Sequence, residues 1–103
     1  MGDPMKIRAT VSGEETEVKV LMSHEMETGQ RKDAKGQVIP AWFIQNVVVV
    51  WKDRTVLSAQ WGTAVSKNPF LSFRFKGGAK GDKITVSWLD NRGDKRTDEA
   101  VIA

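Results

Sequence analysis

The run Trp42 to Trp51, WFIQNVVVVW, restricts what this chain can become more than any other stretch. Four valines in succession, Val47 to Val50, disfavour a helix and favour a strand, because β-branched side chains lose rotamer freedom against a helical turn. Successive side chains of a strand point to opposite faces. One parity carries Trp42, Ile44, Val48 and Val50; the other carries Phe43, Val47, Val49 and Trp51. Neither set is polar. If one fills the core of the domain, the other needs a cover, and in so short a chain a second subunit is the natural candidate.

At 103 residues the chain suits one domain, able to bury roughly two-thirds of its unfolded surface. Residues 1–4 read as an added or disordered tail before a natural start at Met5, and residues 5–103 as a single β-sandwich domain. The absence of cysteine excludes a disulfide framework, a zinc–thiolate site and thiol chemistry on this chain. The 16 basic and 13 acidic side chains give a net charge of +3, with signs interleaved, as in Arg31-Lys32-Asp33 and Asp94-Lys95-Arg96. Nucleic-acid binders gather their cations on one face; mixed signs suit a solvated surface. No segment reaches the roughly 18 apolar residues of a membrane-spanning helix. The start, MGDPMKIRA, lacks the apolar centre of a secretory leader, so export would require a companion chain or a lost leader.

Short alternating segments fill the chain. Lys6 to Val11 places Ile7, Ala9 and Val11 on one side, and Glu17 to Met22 places Val18, Val20 and Met22 inward. Thr55 to Trp61, Phe70 to Lys76 and Lys83 to Asp90 alternate likewise, and a last strand ends near Ile102. Ser12 to Glu15, Lys52 to Arg54, Gly77 to Gly81 and Asn91 to Asp94 supply turn residues. The long loop His24 to Pro40 holds a tight turn at Asp33-Ala34-Lys35-Gly36. Loops of that length on a small scaffold are often functional. About seven strands and no sustained helical period predict an all-β fold, an antiparallel β-sandwich of immunoglobulin or fibronectin type.

Chemistry-bearing residues are few. Met22, His24 and Met26 share a parity, and two thioethers with an imidazole could hold Cu(I), although the core and a simple chain turn account for the same residues. The four tryptophans could offer a sugar-stacking platform, but Trp61 and Trp88 fit core parities. GGAKG lacks the spacing of a phosphate loop, and no serine sits in a nucleophile elbow. Nothing here predicts an enzyme, a cofactor or a metal. Gln30, Arg31 and Lys32 could meet an oxyanion or a partner's carboxylate.

The block His24-Glu25-Met26-Glu27-Thr28-Gly29-Gln30-Arg31-Lys32-Asp33, followed by Gly36-x-x-Ile39-Pro40, resembles the signature of the SoxZ family, the smaller subunit of the bacterial thiosulfate-oxidation (Sox) carrier complex. Val65-Ser66-x-Asn68-Pro69 and Trp88-x-Asp90-x-x-Gly93 match as well, and the similarity runs from about Lys6 to Ile102. Position 25 is proline in many members and glutamate here. The resemblance implies a periplasmic heterodimer, co-exported without a signal peptide of its own. Its partner, SoxY, carries sulfur intermediates on the cysteine of a glycine-rich C-terminal arm and presents them to the pathway enzymes. A chain without a thiol would be the non-catalytic scaffold half.

On that reading Phe43, Val47, Val49 and Trp51 form the surface covered by SoxY. His24, Met26, Glu27, Gln30, Arg31, Lys32 and Asp33 lie near the carrier arm or where the pathway enzymes transiently dock. Without its partner the chain could pair with itself through the same strand. The competing readings are a periplasmic Cu(I)-binding or carbohydrate-binding sandwich.

Overall fold

A break in the alternation of the central strand decides which of its side chains fill the core. In the computed structural model, which describes residues 3–103, strand β3 (Ile44–Trp51) pairs antiparallel with β6 (Lys83–Asp90), and the register shifts between Ile44 and Asn46. This bulge adds a residue, so Ile44 falls on the same side as Val47 and Val49. All three are fully buried.

The expected partner surface of Phe43, Val47, Val49 and Trp51 is thereby corrected. Val47 and Val49 lie at the centre of the chain's own core, and Phe43 and Trp51 pack against it. The outward parity belongs to Asn46, Val48 and Val50, which are only half-buried. Unbroken alternation across Gln45 was the assumption that failed.

The remaining strands are β1 (Lys6–Ser12), β2 (Glu15–Leu21), β4 (Arg54–Gln60), β5 (Phe70–Lys76) and β7 (Lys95–Val101). They form two antiparallel sheets, β1-β2-β5 and β4-β3-β6-β7, and no described residue is helical. The all-β expectation is met. Cross-strand triplets such as Ala9–Val18–Phe73 face the second sheet and meet Val47, Val49, Ile84, Val86 and Trp88 in one core cluster. On one side the chain end closes the sandwich. Ala103 donates to the Ala9 carbonyl at 2.9 Å, and Val11 donates to the Ala103 carbonyl at 3.1 Å.

Lys52 and Asp53 both adopt positive φ, 48° and 61°, the backbone of a two-residue type I′ hairpin that matches strand twist. Trp51 is fixed by its Nε1–H donating to Asp82 Oδ2 at 3.0 Å. Its ring lies so close to Gly77 that a Cβ there would stand 2.8 Å from Cη2. The reading of residues 1–4 as an added tail falls in its first two positions outside the described residues; Asp3 accepts a hydrogen bond from Ser23 Oγ at 3.4 Å.

Candidate functional site

Between β2 and β3 the chain leaves the sandwich as a narrow antiparallel arm. Glu27 and Trp42 exchange two backbone hydrogen bonds at its root, and Lys32 bridges Val38 near its end. Asp33 closes the tip. Its Oδ1 accepts from the backbone N–H groups of Lys35 (2.8 Å) and Gln37 (3.0 Å), and its carbonyl accepts from Gly36. The tight turn expected at Asp33 to Gly36 is present, with Gly36 at φ 79° as such a turn requires. The molecule measures 54 Å along its longest axis and 20 Å across the other two.

The seven loop residues singled out from sequence fall into two groups. His24, Met26 and Glu27 are buried at the root, whereas Gln30, Arg31, Lys32 and Asp33 are exposed along the arm. At the root His24 is a structural pin. Its Nδ1 accepts from the Met26 N–H at 3.0 Å, and its Nε2 lies 3.0 Å from Asp90 Oδ2. A carboxylate can only accept here, so this pattern sets the imidazole as its Nε2–H tautomer.

Asp90 in turn gathers four donors. Oδ2 takes His24 Nε2–H and Trp42 Nε1–H (2.7 Å), and Oδ1 takes the backbone N–H groups of Arg92 and Asp94, both at 2.9 Å. Burial, the largest influence, pushes the Asp90 carboxyl upward. The hydrogen bonds from His24, Trp42, Arg92 and Asp94 together outweigh it and hold the group below the usual carboxylate range. Asn68 completes the pin, accepting from the His24 N–H at 3.1 Å through Oδ1 and donating its own N–H to the His24 carbonyl at 2.9 Å.

Asp90, Trp42 and Asn68 were not linked to His24 by sequence reasoning. A signal was there: Ile84, Val86, Trp88 and Asp90 share the inward parity of one strand, and an acid in that series must find buried donors. The Trp42 ring is packed by His24 edge-on at 5.1 Å and by the Arg92 guanidinium at 4.5 Å. Trp88 meets His24 at 5.2 Å, and its Nε1 is buried without a hydrogen-bond partner among the described residues. A cleft of about 390 Å³ opens beside these rings, bordered by Ser23, Asn68 and Asp94.

This geometry removes the support for the Cu(I) reading. Both His24 nitrogens are engaged, Met26 Sδ accepts from the Ile44 N–H at 3.3 Å, and Met22 is sealed in the core. The sugar-stacking reading fares no better, since none of the four tryptophans is among the exposed large apolar residues. Further out, Arg31 is spent within the arm. Its Nε donates to Glu27 Oε2 at 3.1 Å and its Nη2 to Oε1. That pairing lowers the Glu27 carboxyl and raises the Arg31 guanidinium. Lys32 forms no ion pair among the described residues and is exposed.

The outer face of the four-stranded sheet is unusual in another way. Asn46, Val48 and Val50 of β3 stand opposite Gln60, Ser58 and Thr55 of β4 and opposite Leu89, Ser87 and Thr85 of β6. No member of this grid is charged. Charges begin at its margin, where Lys83 lies 3.9 Å from Glu99.

Comparison with known proteins accords with this architecture. A solved structure of superoxide reductase in the oxidised state superposes with a TM-score of 0.61 at 15% identity, covering 96% of this chain and 86% of that one. Identity so low speaks to the fold alone. No curated protein matches significantly. The family model described as Sulphur oxidation protein SoxZ matches residues 5–101, nearly the whole sequence, and the chain therefore belongs to the SoxZ family of sulfur-oxidation subunits.

Proposed function

We propose that this chain is the non-catalytic scaffold of a heterodimeric periplasmic sulfur carrier, SoxYZ, in thiosulfate oxidation. Its partner SoxY bears the sulfur intermediates on a C-terminal cysteine arm and seats on the outer face of the β4-β3-β6-β7 sheet. The observation that carries this reading is the uncharged grid centred on Val48 and Val50. Interface centres are depleted of charge and ringed by polar residues, and a solvated sheet face of this size would ordinarily carry lysines and glutamates.

The arm's exposed residues Gln30 and Lys32 supply polar contacts for enzymes that visit the carrier. The non-catalytic role is supported by the pinned imidazole, whose nitrogens are both committed within the fold, and by the lack of cysteine.

Co-purification with the cysteine-armed partner tests the proposal. Val48→Asp and Val50→Asp should abolish the complex while the circular dichroism of the isolated chain stays unchanged. A complex retained by both variants would overturn the assignment of this face. Fractionation of native cells, with the chain recovered in the cytoplasm after the partner has been exported, would overturn the location.

A further inference from the structure

On the opposite side of the sandwich, the outer face of the β1-β2-β5 sheet ends in two cross-strand rows. One is Lys6–Leu21–Phe70 and the next is Arg8–Lys19–Ser72. Leu21 is 41% exposed and Phe70 62%, the most exposed large apolar side chain of the described residues. The two stand directly opposite each other across β2 and β5. A shallow groove of about 280 Å³ runs beside them, lined also by Ile7 and by the cations Lys6, Arg8 and Lys19.

Lys6 and Arg8 make no ion pair among the described residues, and Lys19 reaches only Glu17, at 3.5 Å. A greasy pair rimmed by three cations, two of them without an ion pair among the described residues, combines the two ingredients of a recognition surface, an anchor and a charge code.

We propose that this face docks a protein segment that is rich in carboxylates and carries a large apolar side chain. The apolar side chain seats against Leu21 and Phe70, and the carboxylates meet Lys6, Arg8 and Lys19. A second copy is disfavoured, since seating one Leu21–Phe70 pair on the other would bring Lys6, Arg8 and Lys19 of both copies together. An anionic membrane is disfavoured because Glu15 and Glu17 occupy the continuation of the same face and would be pushed into the headgroups. The surface lies on the sheet opposite the Val48–Val50 grid, so both can be filled at once, and the inference does not rest on the assignment of that grid.

The test uses the full chain, labelled with nitrogen-15 and titrated with a short synthetic peptide of Asp and Glu flanking one Trp and one Leu. Saturable shifts should cluster at Lys6, Arg8, Lys19, Leu21 and Phe70 and should weaken as salt rises. Phe70→Ser and Arg8→Glu should each reduce affinity about tenfold or more, the effect of losing an anchor or inverting a steering charge. Both positions are exposed, so the variants should fold, and Leu21→Ser provides an independent check. Several outcomes would overturn the proposal: equal binding of a peptide with lysines in place of the acids, shifts confined to another face, or indifference to Phe70→Ser. Tighter binding to phosphatidylglycerol vesicles than to the peptide would overturn it in favour of a membrane, and a self-dimer lost in Phe70→Ser would overturn it in favour of a second copy.

Discussion

His24 Nε2 and Asp90 Oδ2 lie 3.0 Å apart although 66 residues separate them in the chain. This bond ties the start of the arm to the turn between β6 and β7, and Trp42 joins the same oxygen from the arm's returning side. The two ends of the excursion are therefore held by a single carboxylate.

Replacing Asp90 with alanine should be among the most damaging single changes. It strands the His24 and Trp42 donors, together with two backbone N–H groups, in a site where the Asp90 side chain itself is wholly shielded. Unpaired buried donors are costly, so the loss should be about 3 to 5 kcal/mol, a large part of a typical domain's stability. Urea denaturation of Asp90→Ala measures it, and a change under about 1 kcal/mol would contradict the role assigned to this residue.

The same group gives a direction for acid sensitivity. Because the folded-state pKa of Asp90 is depressed, its contribution is fully present above its unfolded value, near 3.9. It is lost as pH falls through the lower folded value. Stability attributable to Asp90 should thus be flat from neutrality to about pH 5 and decline below about pH 4. In Asp90→Asn that part of the acid limb should disappear, which thermal melts across the pH range would reveal.

Neighbouring valines on β3 should respond in opposite ways. Val47→Asp places a carboxylate in a fully buried position and should unfold the chain. Val48→Asp sits on the outward grid and should leave the melting temperature nearly unchanged. Parallel melts of the two variants would reveal the bulge at Ile44 to Asn46 without any partner present.

Arg31 and Lys32, adjacent in sequence, have different employment. Arg31→Ala releases Glu27 and should loosen the arm, seen as faster amide exchange at Glu27 and Trp42. Lys32→Ala should leave exchange unaltered while slowing cargo turnover in a reconstituted thiosulfate-oxidising system. Identical behaviour of the two would count against this division.

Gly77 adopts φ 110° beside the Trp51 ring. Alanine there must displace the indole and adopt an unfavourable backbone, costing about 1 to 3 kcal/mol. A shift in Trp51 fluorescence should accompany the loss, with Trp42, Trp61 and Trp88 replaced by phenylalanine to isolate the signal.

Much of the architecture is legible from alternation alone. The spans Phe70–Lys76 and Lys83–Asp90 coincide with β5 and β6, because each carries an unbroken inward apolar series, Leu71-Phe73-Phe75 and Ile84-Val86-Trp88, with Gly or Pro within three residues of either end. The facing of β3 is not legible, since Trp42 to Trp51 is apolar at almost every position and its pattern contains nothing to reveal an extra residue near Gln45. The loop was visible through its length, glycines and lone histidine. The partners of His24 were not, because Asn68 and Asp90 are brought to it only by the pairing of distant strands. Arg31 was read as available to a partner from its residue type; its bond to Glu27 depends on the backbone bridge between Glu27 and Trp42, a local geometry that composition does not encode.

The three described methionines, Met5, Met22 and Met26, are all interior, and the chain has no thiol. Thioethers shielded in this way are slow to become sulfoxides, and without a thiolate there is nothing to intercept a persulfide by exchange. Toward reactive sulfur species the described residues therefore present neither a thiol nor an exposed thioether.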